Sequence, residues 1–176
     1  NNMARQSRST QFAAQGRDGR LLRAYLAVVW GVPERPRGTI VTGIARSTAN
    51  RQKMAVSRAA AAREAITHYE VLETFGNPPV ASLVRCELET GRTHQIRLHM
   101  AHIGHPLLGD VTYGAGFKSA AGRLTLTSRE SLKSLNRQAL HAAVLGFEHP
   151  RNGKHLRFES ALPADMDHLI SALRHG

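Results

Sequence analysis

The side chains best suited to chemistry are concentrated between residues 89 and 114. This stretch contains four histidines and two arginines, namely His94, His99, His102, His105, Arg92 and Arg97. Residues three apart on a helix share a face, so His99 and His102 could reach one metal ion, with His105 as a third ligand. No carboxylate lies among these histidines and the HExxH motif is absent, which argues against a zinc site. The favoured alternative is that the histidines are hydrogen-bonded or face a ligand.

The two arginines in this stretch predict anion binding and ion pairing. Arg92 follows Gly91 at a predicted strand-to-helix turn, where exposed helix N–H groups favour a phosphate or a carboxylate. Arg97 borders an apolar helical stripe, and an unpaired charge in such a place is costly. We therefore expect a carboxylate partner for Arg97. The spacing fits equally well with an arginine whose head group simply reaches solvent.

Charge and composition restrict the kind of protein. The chain has 176 residues, enough for one domain, with 24 Lys and Arg against 13 Asp and Glu and a formal net charge of +11. Such an excess favours a polyanionic partner. The single cysteine, Cys86, excludes an intrachain disulfide and is compatible with a reducing cytoplasm. No apolar run approaches the roughly 18 residues of a membrane span. We expect a cytoplasmic protein that binds nucleic acid and no membrane.

Hydrophobic periodicity predicts the elements that position these side chains. Strands are expected over residues 21–30, 39–44, 66–75, 80–89, 140–148 and 155–160, and helices over 92–103, 127–138 and 163–174. The last two helices begin, respectively, with a TSRE capping box and after Pro163. This pattern predicts an α+β domain, with a mostly antiparallel (mixed) sheet and a few flanking helices.

Three other segments are less regular. Residues 46–58 are polar and basic without Asp or Glu, which predicts an exposed loop or ribbon. The alanine-rich residues 59–65 favour a helix by propensity, and residues 109–122 form a glycine-rich loop. Residues 1–11 have the composition of a polar tail or a fragment edge, so the domain is expected to span 12–176.

Several segments together resemble the RluA-type (RluA/RluC/RluD) RNA pseudouridine synthases. The longest is GRTHQIRLHMAHIGHPLLGDVTYG, which is similar to the signature segment of that family. The strings LLRAYLAVVWG and GTIVTGIARSTANRQKMAVS resemble its tyrosine-bearing strand and its basic loop. AITHYEVLE and LHAAVLGFEHPRNGKHLRFESALPADM resemble its later strands and its ending. The similarity runs from about Phe12 to Leu173.

The resemblance implies a reaction and a partner. Members of the family isomerise uridine to pseudouridine: the C1′–N1 bond breaks, the uracil turns, and C5 bonds to C1′. The implied fold is the pseudouridine synthase catalytic domain, acting as a monomer without a metal, nucleotide or redox cofactor. The implied partner is structured RNA, with large-subunit ribosomal RNA favoured and transfer RNA as the alternative.

The resemblance also assigns roles to individual residues. Tyr25 matches the tyrosine that stacks on the target base, and Arg97 matches the arginine that pairs with a catalytic aspartate. Leu140 matches an apolar residue that lines the uracil pocket. The remaining matches are RNA contacts, carried by Arg46, Arg51 and Lys53 in the basic loop and by Arg92 and His94 near the signature segment.

One element of the family pattern is missing. The catalytic aspartate belongs to an Arg-Leu-Asp motif well before the tyrosine, and Tyr25 leaves no room for it. The chain has four aspartates, and Asp110, in Leu-Gly-Asp-Val, matches a position with a structural role. We therefore expect this chain to be the C-terminal part of a longer enzyme, inactive by itself, with Arg97 left without its carboxylate. One alternative is a catalytically inert RNA-binding module on the same fold. Another is a general DNA- or single-strand-binding domain, which is disfavoured because such domains stack bases on aromatic side chains and only 5% of residues here are aromatic.

Overall fold

Seven strands form one sheet in the part of the chain that the structure, a computed structural model, describes: Gln15 and residues 21–176. The strands in chain order are β1 Leu22–Trp30, β2 Arg37–Arg46, β3 Met54–Val56, β4 Arg63–Phe75, β5 Ala81–Leu88, β6 Leu140–Glu148 and β7 His155–Glu159. Their order across the sheet is β3-β2-β4-β5-β1-β6-β7, and each neighbouring pair is antiparallel. The predicted α+β fold with a mostly antiparallel sheet is confirmed.

Helices cover both sides of the centre of this sheet. The described α-helices of the sheet domain are α1 Gln95–His102, α2 Leu126–Leu135 and α3 Ala164–Arg174, and a 3-10 helix spans Ala115–Arg123. Met100 of α1 packs with Val29 and Val84 on one side. Leu169 of α3 packs with Val28 on the other side. Because β1 and β5 have apolar residues facing both ways, they form the centre of the core, as expected for strands covered on both faces.

The alanine-rich segment is not a helix, contrary to the prediction from propensity. Residues 59–62 form a turn, and β4 begins at Arg63. Ala65 is fully buried and lies opposite Thr42 of β2. The pairing with β2 therefore outweighs the helix preference of alanine, which amounts to only a few tenths of a kcal/mol per residue.

Other element boundaries differ from the prediction for local reasons. Helix α1 begins at Gln95 rather than near Arg92, because His94 adopts a left-handed conformation with φ 56°. Helix α2 is capped by Thr125, whose hydroxyl accepts a hydrogen bond from the backbone N–H of Ser128. The prediction that the helix begins with a capping box at Thr127 is therefore wrong. The glycine-rich loop contains the 3-10 helix, and the basic segment contains β3.

Two further predictions concern a membrane-spanning segment and a polar N-terminal tail. Among the described residues, no helix is long and apolar enough to span a bilayer. The predicted polar tail at 1–11 lies outside the described residues.

Candidate active site

A cavity of about 260 Å³ lies between helix α1 and the face of β1, β5 and β6 that α1 covers. Its lining includes five of the eight predicted site residues: Tyr25, Arg92, His94, Arg97 and Leu140. These residues come from positions up to 115 apart in the chain, and the sheet brings them together because β1 pairs with both β5 and β6. The remaining lining residues are Leu88, Gln95, Ile96 and Gln138.

The floor of the cavity is formed by strand residues whose register places them on one face. Tyr25 lies opposite Cys86 of β5, and Leu140 lies opposite Ala27 of β1. Burial raises the pKa of the Cys86 thiol to about 12. The thiol is therefore neutral at physiological pH, and Cys86 contributes packing rather than a nucleophile. Tyr25 and Leu140 are half-buried and present an aromatic and an aliphatic surface to the cavity.

Arg97 forms a two-bond ion pair with Asp110. Its Nε donates to Oδ2 at 2.6 Å and its Nη2 donates to Oδ1 at 2.9 Å. The Asp110 side chain is fully buried and that of Arg97 is only 12% exposed. The backbone N–H groups of Thr112 and Tyr113 also donate to Oδ1, each at 3.0 Å. The expectation that Arg97 lacks a carboxylate is therefore wrong, because the loop after α1 supplies one.

The protonation of this pair follows from its contacts. Burial by itself raises the pKa of Asp110, but the hydrogen bonds from Arg97 and from the backbone N–H groups outweigh it, and the net pKa is lowered. The hydrogen bond to Asp110 raises the pKa of Arg97. Both groups are therefore charged at neutral pH. The Arg97 guanidinium is held in one orientation, with Nη1 outside the two bonds to Asp110.

Tyr113 is a site residue that the sequence analysis missed. Its ring centroid lies 4.9 Å from Cζ of Arg97. Its hydroxyl accepts the backbone N–H of Met54 at 3.1 Å and lies 2.8 Å from Nδ1 of His94. Burial, followed by the positive charge of Arg97, lowers the pKa of His94. Tyr113 therefore connects a neutral His94, the Arg97 ion pair and the strand β3. The only signal for it was its place in GDVTYG, three residues after Asp110.

Gln95 is a second missed residue, and it fixes the turn that leads into α1. Its fully buried amide donates to the carbonyl oxygen of Ile66 at 3.0 Å and to the hydroxyl of Thr67 at 2.9 Å. Its oxygen accepts from Thr90 Oγ1 at 2.7 Å and from the backbone N–H of Arg92 at 3.0 Å. All polar atoms of this amide are thereby used within the protein. Gln95 is a positioning residue for Arg92 and has no donor left for a ligand.

At the other end of the site, Arg92 lines the cavity and Arg23 lies beside it, and each donates a hydrogen bond to a backbone carbonyl oxygen. Arg92 Nε donates to the carbonyl of Glu64 at 2.9 Å, and Arg23 Nη2 donates to the carbonyl of Glu89 at 3.0 Å. Arg23 Nε is buried without a hydrogen-bond partner. Burial, and to a lesser degree the charge of Arg92, lowers the pKa of Arg23, while Tyr25 acts in the opposite direction. Within the described residues, neither arginine forms an ion pair with a carboxylate.

The basic loop residues lie outside the cavity. Arg46 ends β2 and donates to the carbonyl of Arg51 at 2.6 Å, while the backbone N–H of Ser47 donates to the carbonyl of Lys53. Arg46 and Arg51 are exposed, and Lys53 is half-buried. The three cations form a tight basic ribbon, residues 46–53, at the β2–β3 edge. Met54, which follows this ribbon directly, is the residue bonded to Tyr113.

The histidines of the metal alternative have separate environments. His99 is buried between Thr42 and Thr67, with both ring nitrogens 2.8 Å from a hydroxyl. His105 Nδ1 lies 2.8 Å from the carbonyl oxygen of Trp30, and His102 is exposed. In the part of the chain that the structure covers, no three His, Cys, Asp or Glu side chains are grouped to hold a metal ion. These histidines therefore do not form the three-ligand arrangement considered from their spacing.

A larger depression of about 440 Å³ lies over the opposite face of the sheet. Its charged residues are mutually paired: Arg37 donates to Glu70 at 2.8 Å, and Arg85 forms an ion pair with Glu87. An internally neutralised surface offers little to a charged ligand. The smaller cavity beside α1 is therefore the better candidate site.

Comparisons with known proteins show which family this chain resembles. The family profile described as RNA pseudouridylate synthase matches residues 3–102. A protein of Zymomonas mobilis named ribosomal large subunit pseudouridine synthase D is 45% identical over 161 residues, which is 92% of this chain and 48% of that protein. The protein of the same name from Pseudomonas aeruginosa is 44% identical over 166 residues, 94% of this chain and 49% of its own length. The chain thus spans about half the length of the curated relatives it matches.

Solved structures support the same fold. The structure of human RNA pseudouridylate synthase domain containing 1 superposes with a TM-score of 0.69 at 25% identity, covering 94% of this chain and 64% of that one. Human RNA pseudouridylate synthase domain containing 4 gives a TM-score of 0.69 at 24% identity, covering 98% of this chain and 67% of that one.

Proposed function

We propose, because the chain belongs to the RNA pseudouridylate synthase family, that the intact protein isomerises uridine to pseudouridine in RNA. The observation that carries this proposal is the single cavity lined by Tyr25, Arg97 and Leu140. The flat faces of a uracil ring fit between an aromatic ring and an aliphatic wall, and a fixed cation beside the ring is suited to orient a reacting carboxylate. Large-subunit ribosomal RNA is the proposed substrate, supported by the names of the bacterial relatives.

The arrangement of Arg97 defines what the chain contributes to the reaction. In the proposed reaction the C1′–N1 bond breaks, the uracil rotates while held in the cavity, and C5 bonds to C1′. C5 then loses a proton and N1 gains one, so the product is an isomer of the substrate. Tyr25 contacts the base, and Leu140 excludes water from one side of it. The catalytic carboxylate is proposed to lie outside the 176 residues and to bind Nη1 of Arg97, since Asp110 engages Nε and Nη2. Asp110 thus positions Arg97 and is not the reacting carboxylate.

The basic ribbon supplies the proposed grip on the rest of the RNA. Arg46, Arg51 and Lys53 lie at a sheet edge with no carboxylate paired to them among the described residues. Arginine and lysine at such an edge neutralise backbone phosphates without reading sequence. A monomer and a cytoplasmic location complete the proposal; the free, buried thiol of Cys86 is compatible with the reducing conditions of that compartment.

Turnover by the intact protein tests the proposal. We expect pseudouridine to form in fragments of large-subunit ribosomal RNA and less in transfer RNA, measured by mass spectrometry of nuclease digests. Replacing Arg97 by Lys keeps the charge but loses the two-bond pairing, so turnover should fall by about 100-fold or more while RNA affinity changes little. The exposed Arg129→Lys is the matched control and should leave turnover unchanged.

The main alternative, a catalytically inert RNA-binding module, makes a different prediction for the same assay. Steep, salt-dependent RNA binding by the intact protein without any pseudouridine would favour that module and contradict the proposed enzyme. Equal losses of turnover and RNA affinity in Arg97→Lys would contradict the role given to Arg97. Measurable turnover by the 176-residue chain alone would contradict the proposal that the catalytic carboxylate lies elsewhere.

A further inference from the structure

We propose that Arg23 and Arg92 form a binding site for one backbone phosphate of the RNA, beside the cavity that receives the base. The inference rests on the proposed function and deepens it, because it adds a phosphate subsite to the base site. Arg23 has no role in the sequence analysis above. Its assignment here depends on its position, its missing partners and the glycine next to it.

The position of Arg23 follows from the pleat of β1. Side chains two residues apart on a strand point to the same face, so Arg23 and Tyr25 share the face that lines the cavity. Burial has the largest effect on the pKa of Arg23, and the nearby positive charge of Arg92 lowers that pKa further. Arg92 itself lines the cavity. Arg23 is not one of the residues that line the cavity. Its guanidinium lies beside the cavity, against Gly91, which directly precedes the lining residue Arg92.

The hydrogen bonds of the two arginines are incomplete. A guanidinium group has five N–H donors. Arg23 uses Nη2 for one carbonyl and leaves Nε buried without a partner, and Arg92 uses Nε for another carbonyl. An unsatisfied buried donor and two neighbouring like charges both raise the free energy of the ligand-free protein. An anion bound by the two guanidinium groups would offset the repulsion between the like charges, whereas the buried Nε of Arg23 is out of its reach.

Gly91 makes room for this arrangement. A Cβ atom at position 91 would collide with Nη1 of Arg23, and that atom belongs to the guanidinium proposed to bind the ligand. The backbone of Gly91 has no positive φ that would by itself require glycine. The absence of a side chain at this position therefore serves the close approach of Arg23, immediately before Arg92 in the chain.

A phosphate fits this pair better than another anion. Arginine binds phosphate oxygens through two parallel N–H donors, and two arginines can share a group that carries several acceptor oxygens. In a nucleotide, the phosphate is separated from the base by one sugar, which matches a cation pair adjacent to the base cavity. The chain's formal charge of +11 favours RNA as the source of that phosphate.

The salt dependence of RNA binding tests the proposal directly. For the intact protein and a fragment of large-subunit ribosomal RNA, we expect Arg23→Gln to raise Kd about tenfold, because one charged hydrogen-bonded contact is lost. The slope of log Kd against log salt concentration should fall by about 0.7 to 0.9, as for the loss of one phosphate contact. Gly91→Ala should weaken binding in the same direction, because its methyl group displaces Arg23.

Controls separate this site from general electrostatics. Arg129→Gln removes one positive charge from the exposed surface of α2 and should change Kd and the salt slope much less than Arg23→Gln. Arg23→Lys should recover part of the slope, since it restores the charge without the planar fork. If Arg23→Gln fails to fold, Arg92→Gln carries the same expectations for Kd and slope.

Three outcomes would overturn the proposal. An unchanged salt slope in a folded Arg23→Gln protein would exclude a phosphate contact. A loss of unfolding free energy without a change in slope would show that Arg23 serves the fold, through its hydrogen bond to the Glu89 carbonyl, and not the RNA. Equal effects of Arg23→Gln and Arg129→Gln would show only a general effect of charge. Because binding is measured without turnover, a protein that binds as expected but forms no pseudouridine would contradict the proposed function and leave this inference standing.

Discussion

The two ends of the cavity place the same functional group in opposite situations. At one end, the Arg97 guanidinium is neutralised by the buried carboxylate of Asp110 and covered by the ring of Tyr113. At the other end, Arg92 and the neighbouring Arg23 each donate to a carbonyl oxygen, and no carboxylate of the described residues pairs with them. An arginine with an internal carboxylate is oriented before any ligand arrives. An arginine without one keeps an uncompensated charge that can attract an anion brought by the ligand.

The two ends should therefore respond with opposite sign when an arginine is removed. Breaking a buried pair leaves one charge uncompensated, which is among the largest single effects on stability. Removing a cation that lacks a carboxylate takes away a charge that the folded protein does not neutralise. The following predictions test that contrast, beginning with the largest effect.

The first prediction compares two aspartates, each bound to an arginine by two hydrogen bonds. Asp110 is fully buried, whereas Asp165, paired with Arg137, is 39% exposed. We expect Asp110→Ala to lower the free energy of unfolding by about 3–5 kcal/mol, because Arg97 stays buried without its partner. Asp165→Ala should cost about 1 kcal/mol or less, because water screens that pair. Urea denaturation of both variants measures the difference, and equal losses would contradict the special status of the buried pair.

The second prediction concerns the attachment of α1, the helix that carries Arg97. Burial, with a smaller effect of His102, lowers the pKa of His99 from 6.5 to about 4. Protons then bind the unfolded chain more readily than the folded one between these two values. The contribution of neutral His99 is therefore complete above pH 6.5 and is lost as the pH falls towards 4, by about 3 kcal/mol in total.

Urea denaturation at pH 7.5, 5.5 and 4.5 measures this loss. His99→Gln should remove that part of the pH dependence, whereas the exposed His102→Gln on the same helix should retain it. A wild-type curve that is flat between pH 7.5 and 4.5 would contradict the role of His99.

The third prediction is the smallest and concerns the end without a carboxylate. In the absence of RNA, Arg23→Met should change the free energy of unfolding by no more than about 1 kcal/mol, with a neutral or stabilising sign, because a half-buried charge and an unsatisfied donor are replaced by apolar surface. Arg97→Met is the matched variant and should destabilise the protein, because it leaves the buried carboxylate of Asp110 without its cation. Similar losses in the two variants would remove the distinction between the two ends.

The parts of the molecule that the sequence predicted well are those determined by local pattern. Alternation along residues 80–89 predicted β5, and the 3.6-residue stripe of Ile96, Met100 and Ile103 predicted α1. The requirement for a carboxylate near Arg97 also followed from its place beside that stripe. Resemblance placed Tyr25, Arg97 and Leu140 in one site, and the structure brings them to one cavity. Their roles in the reaction stay predictions.

The errors arise where a contact made in three dimensions decides the outcome. The helix proposed for residues 59–65 was wrong because β2 supplies a pairing strand that no local pattern reveals. Asp110 was not recognised as the partner of Arg97 because a loop returns it to the helix from 13 residues away. Arg23 could not be identified from the sequence, because a single basic residue in a strand forms no motif. Its significance depends on Gly91, which lies in another part of the sheet domain.

The location of β1 in the sheet has a consequence for motion. Tyr25 lies on β1, which pairs with a strand on each side. The basic ribbon of residues 46–53 connects β2 to β3, and these two strands pair over only three residues at the edge of the sheet. Amide hydrogens of β1 should therefore exchange with solvent only through opening of most of the domain, while those of the ribbon exchange through small local openings. We therefore expect slow amide exchange for the strand that carries Tyr25, which is proposed to contact the base. We expect faster exchange for the ribbon, whose residues are proposed to contact the RNA backbone.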